Sequence, residues 1–323
     1  MGVNDDKPGR WKADIARSVD AYNDWFMRFA PKAYRETRVK TTEQVEAALE
    51  STANLTNIAP ALLRANPSVV QILRMCTAPP IARDRLIGLA KVSSSLVHSM
   101  EGDEHRLPPQ MPNVEVDAQL ARIGDIILRL ADRDIFTWLD DGHKITIEEV
   151  HRAATVVADR LCGAVADPII RNAQEARQLA AMRHWLEARK YKFIGPGEGT
   201  RFDAMRPGTF CFRLNVPVDQ GKGNRKINIP VDVAIMPLAA RAGDLPLLIE
   251  AKSAGDFTNV NKRRKEEATK VGQLRHTYGA KIRYVLFLGG YFDSGYLGYE
   301  AAEGIDWVWE HRIDELAEFG LQA

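Results

Sequence analysis

The sequence predicts two parts: an all-helical N-terminal half, then an α/β half with a mixed sheet flanked by helices. Three observations carry this. Up to about Ala166 the apolar residues recur at helical spacing. After Asp167-Pro168 they gather into short strand-like runs. The order of those later segments is helix, three strands, helix, strand, and 323 residues suffice for two domains, drawn here at 1–166 and 167–323.

Taken in order, the first helix is expected from near Trp11 to Phe29, closed by Pro31. A second is expected to start at Thr41, where Thr41-Thr42-Glu43-Gln44 fits a capping box. Short helices broken by Pro60, Pro67, Pro79 and Pro80 follow, and the proline-rich stretch 108–112 reads as a linker. Leu120, Ile123, Ile127 and Leu130 mark one amphipathic helix. Val150, Ala154, Val157 and Leu161 mark another, opened by the box Thr146-Ile147-Glu148-Glu149. The second half then brings a helix over 172–188 and strands over 210–216, 227–236, 245–251 and 282–288. A charged helix over about 261–276 precedes the last strand.

Composition narrows the function classes. Formal net charge is +1, so any polyanion must be met by a local patch. No stretch approaches the apolar length that spans a bilayer, and no apolar segment near Met1 resembles a signal peptide. Cys76, Cys162 and Cys211 show no C-x-x-C spacing, which disfavours both a disulfide framework and a zinc knuckle. The expectation is a soluble cytoplasmic protein without a membrane partner.

Chemistry concentrates in the second half. The run Leu247-Leu248-Ile249 is apolar on both faces, as a buried central strand should be, and it ends in Glu250-Ala251-Lys252. At a period of two, Glu250 and Lys252 share a face, and Asp232 lies in the neighbouring run. Two acids on adjacent strands are costly to desolvate unless a hard cation lies between them. Magnesium accepts one or two carboxylates with waters and phosphate oxygens, which suits phosphodiester hydrolysis, with Lys252 orienting the water or neutralising the phosphate. The bland alternative is a solvated strand end with an ion pair. Glu175 is a further candidate, because it shares a helical stripe with Leu179, Met182 and Leu186. Its alternative is a first-turn Glu near a helix N-terminus.

Residues 261–283 hold eight Lys/Arg against two acids, whereas 291–323 hold eight acids and one Arg. The neutral total hides a polarised domain. A basic helix beginning after a carboxylate strand is placed to hold a phosphate backbone, through Lys262, Arg263, Arg264 and Lys265. Asn259, Asn261, Gln273 and Arg275 are types able to read base edges. A solvated, salt-bridged surface helix is the alternative.

Pro230-x-Asp232, Glu250-x-Lys252 and the upstream Glu175 resemble the PD-(D/E)xK nuclease superfamily in order and element type. Ser253-Ala254-Gly255-Asp256-Phe257-Thr258-Asn259, running into Asn261-Lys262-Arg263-Arg264-Lys265-Glu266-Glu267, looks like type II restriction endonucleases. Trp25-Phe26, Leu73-Arg74-Met75 and the stretch from Pro79 to Leu86 are similar to the XamI-type family. The resemblance implies a restriction-endonuclease-like core and Mg2+-dependent cleavage of double-stranded DNA at a short palindrome, leaving 5′-phosphates. It implies a homodimer, paired in function with a DNA methyltransferase, and GTCGAC as the palindrome. Asp232 and Glu250 take the metal-ligand role, Lys252 orients water, and Glu175 is the upstream catalytic acid. The helical half is then expected to enclose DNA or add specificity. A structure-selective or repair nuclease, and a non-catalytic DNA-binding protein with a nuclease-like fold, are the rival readings.

Overall fold

The computed structural model describes every residue except 1, 142, 196, 197, 199, 220–225, 259 and 323; for 141 and 260–264 it describes the backbone alone. The chain forms two compact units, residues 30–169 and residues 1–29 with 170–323. This differs from the expected division at the N-terminal end, where the first 29 residues join the sheet-bearing unit. The cause is a set of contacts more than 250 residues apart in sequence. Asn4 Nδ2 donates to the Trp307 carbonyl at 2.9 Å, Trp11 packs edge-on to Trp307, and the Gly290 N–H donates to Ser18 Oγ at 2.8 Å.

The helices are α1 (Pro8–Ser51), α2 (Pro60–Ala65), α3 (Val69–Met75), α4 (Arg83–Ala90), α5 (Ser94–Met100), α6 (Asn113–Leu130), α7 (Trp138–Asp141), α8 (Ile147–Ala188), α9 (Val260–Tyr278) and α10 (Ser294–Ala302). Two expected boundaries are absent. Pro31 lies inside α1 and Pro168 inside α8, so neither proline ends its helix. A proline removes one backbone bond, and burial of Ala30 and Ala33 beside Pro31 outweighs that loss. Thr41 accordingly caps nothing: it is buried within α1 and its hydroxyl donates back to the Arg38 carbonyl. The second predicted box is present. The Glu149 N–H donates to Thr146 Oγ1 at 3.2 Å, and the Thr146 N–H donates to Glu149 Oε2 at 3.0 Å.

The core of unit 30–169 is formed by aliphatic side chains of its helices, among them Leu49, Leu73, Leu86, Leu96, Leu120 and Ile127. Gly124 permits a close approach there, since a Cβ would lie 2.7 Å from the Ile58 carbonyl oxygen. The other unit is built on a six-stranded sheet in sequential order: β1 (Lys192–Phe193), β2 (Thr209–Asp219), β3 (Lys226–Met236), β4 (Leu247–Ala254), β5 (Arg283–Gly290) and β6 (Asp306–Trp309). β2–β3 and β3–β4 are antiparallel, and the other pairs are parallel, so the sheet is mixed as predicted. The sequence reading missed β1 and β6, which are too short to show a period, and α10, whose N-cap Asp293 accepts from the Tyr296 N–H.

One face of the sheet packs Leu179, Met182 and Leu186 of α8 against Val233, Ile249 and Phe287. The opposite face packs Val271 and Leu274 of α9 and Leu297 of α10 against Leu248, Leu286 and Trp307. Glu250 and Lys252 alternate in register with Leu248 and so belong to the α9 face. Among the described residues no helix is long and apolar enough to cross a membrane.

Candidate active site

The site forms where regular pairing stops. The β3–β4 ladder runs Ile235↔Leu247, Ala234↔Leu248 and Val233↔Ile249 and ends there. The next pair in that register would be Asp232 and Glu250. Instead, the Ala251 N–H donates to Asp232 Oδ2 at 2.8 Å, so a carboxylate replaces a backbone carbonyl as acceptor. The β2–β3 ladder also omits Asp232 and its neighbour Arg213, whose φ is +54°. Strand alternation shifts at this point: Ile229 and Val231 share the α9 side with Ala234 and Met236. The kink turns Asp232 out of the ladder, and a non-glycine residue in the left-handed region is strain of the kind found at functional sites.

Burial and like charge act together on Asp232. Its carboxyl is pushed up to about 6, first by burial, then by Glu250 and more weakly by Glu175, against the Ala251 N–H and Lys252. Lys252 Nζ lies 3.2 Å from Glu250 Oε1 and 2.8 Å from Glu267 Oε1. Burial would lower its pKa, yet Glu250 and Glu267 outweigh burial and raise it. Lys252 is therefore a fixed cation and unsuited to act as a base. Lys270 Nζ contacts Glu250 Oε2 at 2.6 Å. From α8, Gln178 Nε2 donates to the Lys252 carbonyl at 3.3 Å and so holds the end of β4. Glu175 pairs with Arg213 at 2.8 Å and remains partly exposed beside Asp232.

The structure thus brings together Asp232, Glu250, Lys252 and Glu175. Among the described residues no group of three or more His, Cys, Asp or Glu forms a metal cluster. The donor set is two hard carboxylates, one of them held uncomfortably close to the other, and that set fits a cation which completes its shell with water and phosphate oxygens.

The XamI restriction endonuclease family matches residues 53–309. The chain is 53% identical over 318 residues to the type II restriction enzyme SalI of Streptomyces albus G, covering 98% of this chain and 99% of that enzyme. The chain belongs to the XamI restriction endonuclease family. As a member it is a type II restriction endonuclease, a site-specific deoxyribonuclease that acts on DNA. Among solved structures, protein VC1899 from Vibrio cholerae matches 90% of this chain and 56% of its own length, at 12% identity and a TM-score of 0.29.

For this restriction endonuclease, the expected DNA-binding residues fall in different settings. Asn259 lies outside the described residues, as do the side chains of Asn261, Lys262, Arg263 and Arg264. Lys265 is exposed and Gln273 half-buried on α9. The Arg275 guanidinium donates to the carbonyls of Glu303 and Gly304 at 2.8 and 2.7 Å, where it satisfies the end of α10. Sequence reasoning passed over Gln178, Glu267 and Lys270. A signal existed for Glu267, which precedes Val271 and Leu274 by four and seven residues and so shares their inward stripe. The surrounding run of charges masked it.

Proposed function

We propose that this restriction endonuclease has a restriction-endonuclease-like nuclease core and hydrolyses double-stranded DNA at a short palindrome, with Mg2+ as cofactor, leaving 5′-phosphates. The observation that carries the reading is the like-charge interaction of Asp232 with Glu250 just past the end of the β3–β4 ladder, with the Lys252 ammonium beside Glu250. Asp232 and Glu250 would hold the cation. When bound, it lowers the pKa of a coordinated water and offsets charge on the phosphoryl oxygens. Lys252 stays protonated and supplies a positive charge and directed N–H donors to the phosphate or the attacking water. Glu175, held by Arg213, adds an upstream carboxylate. The α9 residues Lys262, Arg263, Arg264 and Lys265 track the phosphate backbone, and Asn259 and Asn261 lead into them as base-reading candidates.

A homodimer supplies two such sites for the two strands of a palindrome, and a cognate DNA methyltransferase protects the host's own copies. The helical unit contributes to enclosing the duplex or to specificity. GTCGAC, the palindrome implied by the XamI-type resemblance, is the first sequence to test. Digestion of supercoiled plasmid and genomic DNA with Mg2+, followed by end sequencing, decides the reading. Discrete bands with one shared terminal sequence are expected. Sequence-independent nicking or preferential cutting of branched DNA would replace it with the structure-selective alternative. Calcium, with its looser and longer oxygen coordination, is expected to support binding without cleavage.

A further inference from the structure

Glu267 is a buried carboxylate on α9 to which the cleavage chemistry above gives no task. Its side chain is 2% exposed, and Lys252 Nζ approaches Oε1 at 2.8 Å. Lys252 is its ion-pair partner among the described residues. A buried carboxylate whose ion-pair partner among the described residues is one ammonium is costly to keep for stability alone. Its surroundings also limit the local charge. Glu300 of α10 is wholly buried, and its carboxyl is pushed up to about 8 by burial and then by Glu267, so it keeps its proton at neutral pH. Glu267 faces Lys252 from the helix, opposite Glu250 on the strand.

We propose that Glu267 is the positioning residue for Lys252, holding its ammonium between α9 and β4 so that it faces the reacting phosphate. The assignment rests on the nuclease reading of Lys252. A lysine has a long flexible stem and a compact charge, so a single carboxylate neighbour does not fix its direction. Glu250 alone, on the same strand, would draw the ammonium onto itself. Glu267 pulls from the other side, while Lys270 takes the second oxygen of Glu250. Two opposed carboxylates define one position for the ammonium.

The test uses the full-length protein with Glu267→Gln, which keeps the shape and removes the charge, Glu267→Asp, which keeps the charge, and Glu267→Met, which replaces the anion by an apolar chain if the amide does not fold. Three quantities are measured: single-turnover cleavage with its dependence on DNA concentration, thermal midpoint, and acetylation of Lys252 in the metal-free protein, read by mass spectrometry. For Gln or Met we expect a cleavage rate about 100-fold lower, the scale of a misplaced catalytic group. Half-saturating DNA should change by less than about threefold, since ground-state binding is untouched. Lys252 should acetylate at least about threefold faster, as the contact that holds its ammonium is lost. Asp should recover part of both the rate and the protection.

A rate within about threefold of wild type in a folded Gln or Met variant would overturn the proposal, because transition-state stabilisation would be unchanged. So would a rate loss with unchanged acetylation, or a loss that tracks the thermal midpoint alone. If the wild-type protein cleaves no DNA, the nuclease reading fails; the acetylation comparison then still reports whether Glu267 holds Lys252.

Discussion

Two sets of buried ion pairs, one in each unit, show how a closed structural ion pair differs from the candidate active site. In unit 30–169 the Arg74 Nε and Nη2 donate to the two oxygens of Glu101, each at 2.7 Å, and Nη1 donates to the Ile81 carbonyl. One cation meets one anion with matched geometry. In the sheet-bearing unit, Lys252 and Lys270 face Asp232, Glu250 and Glu267, and the balance is uneven. Asp232 is pushed towards its protonated form, and Lys252 is shared between Glu250 and Glu267. The closed set fixes a fold and needs nothing further. The open set carries excess negative charge at a break in a ladder, and the proposed cation would relieve it.

The largest effect expected from breaking this contrast is on catalysis. Asp232→Ala, Glu250→Ala and Lys252→Met should each lower plasmid cleavage by about 10²–10³-fold or more, the scale for removing one charge-stabilising group. Duplex binding in calcium should stay measurable. Near-normal turnover in any one variant removes that residue from the site. Next comes the closed pair: Arg74→Met leaves Glu101 buried without a partner and should cost about 3–5 kcal/mol in urea unfolding. Converting both residues to apolar ones should recover most of that loss. A small cost for the single change would show that the pair is not closed as described.

Asp232→Asn sharpens the contrast from the other side. The carboxyl has a folded pKa of about 6, above its ordinary 3.8, so the folded chain binds the extra proton. Its stabilising contribution is present below about pH 4 and is lost as pH rises through about 6. The amide keeps an acceptor for the Ala251 N–H and never ionises. At pH 8 the metal-free variant should therefore be more stable than wild type by about 1–3 kcal/mol, with the gain vanishing near pH 4. A variant less stable at pH 8 would mean that Asp232 is well compensated in the fold. The smallest effect concerns the exposed rim: Lys265→Ala should make the salt dependence of DNA binding shallower by roughly one unit, equally for cognate and scrambled duplexes. An unchanged slope would place this part of α9 away from the phosphates.

Much of the site was legible because it is local. Glu250 and Lys252 close the most apolar strand, and period-two alternation alone puts them on one face. The Thr146–Glu149 box formed where its four residues predicted it, since both hydrogen bonds lie within one turn. Asp232 was legible as an acid on an adjacent strand, but not its release from both ladders, which depends on the backbone of Arg213 in a third segment. The helix expected from near Trp11 to Phe29 is present within α1, yet nothing in residues 2–29 indicates Trp307 or Gly290 as partners.

The sequence by itself determined the helical and strand periods, the mixed α/β character of the second half and the Glu250-Ala251-Lys252 constellation. Each depends on residues a few positions apart, whose spacing matches the repeat of a helix or a strand. Tertiary structure decided that α1 and α8 pass through Pro31 and Pro168, because burial beyond a proline outweighs the one bond it removes. It decided that Arg275 satisfies α10, and that Glu267, inside a run of charges, turns inward to meet Lys252. A charged side chain carries no mark of its direction in sequence. Which face it takes is set by the helix stripe it interrupts and by the counter-charge waiting there, and that counter-charge comes from another strand.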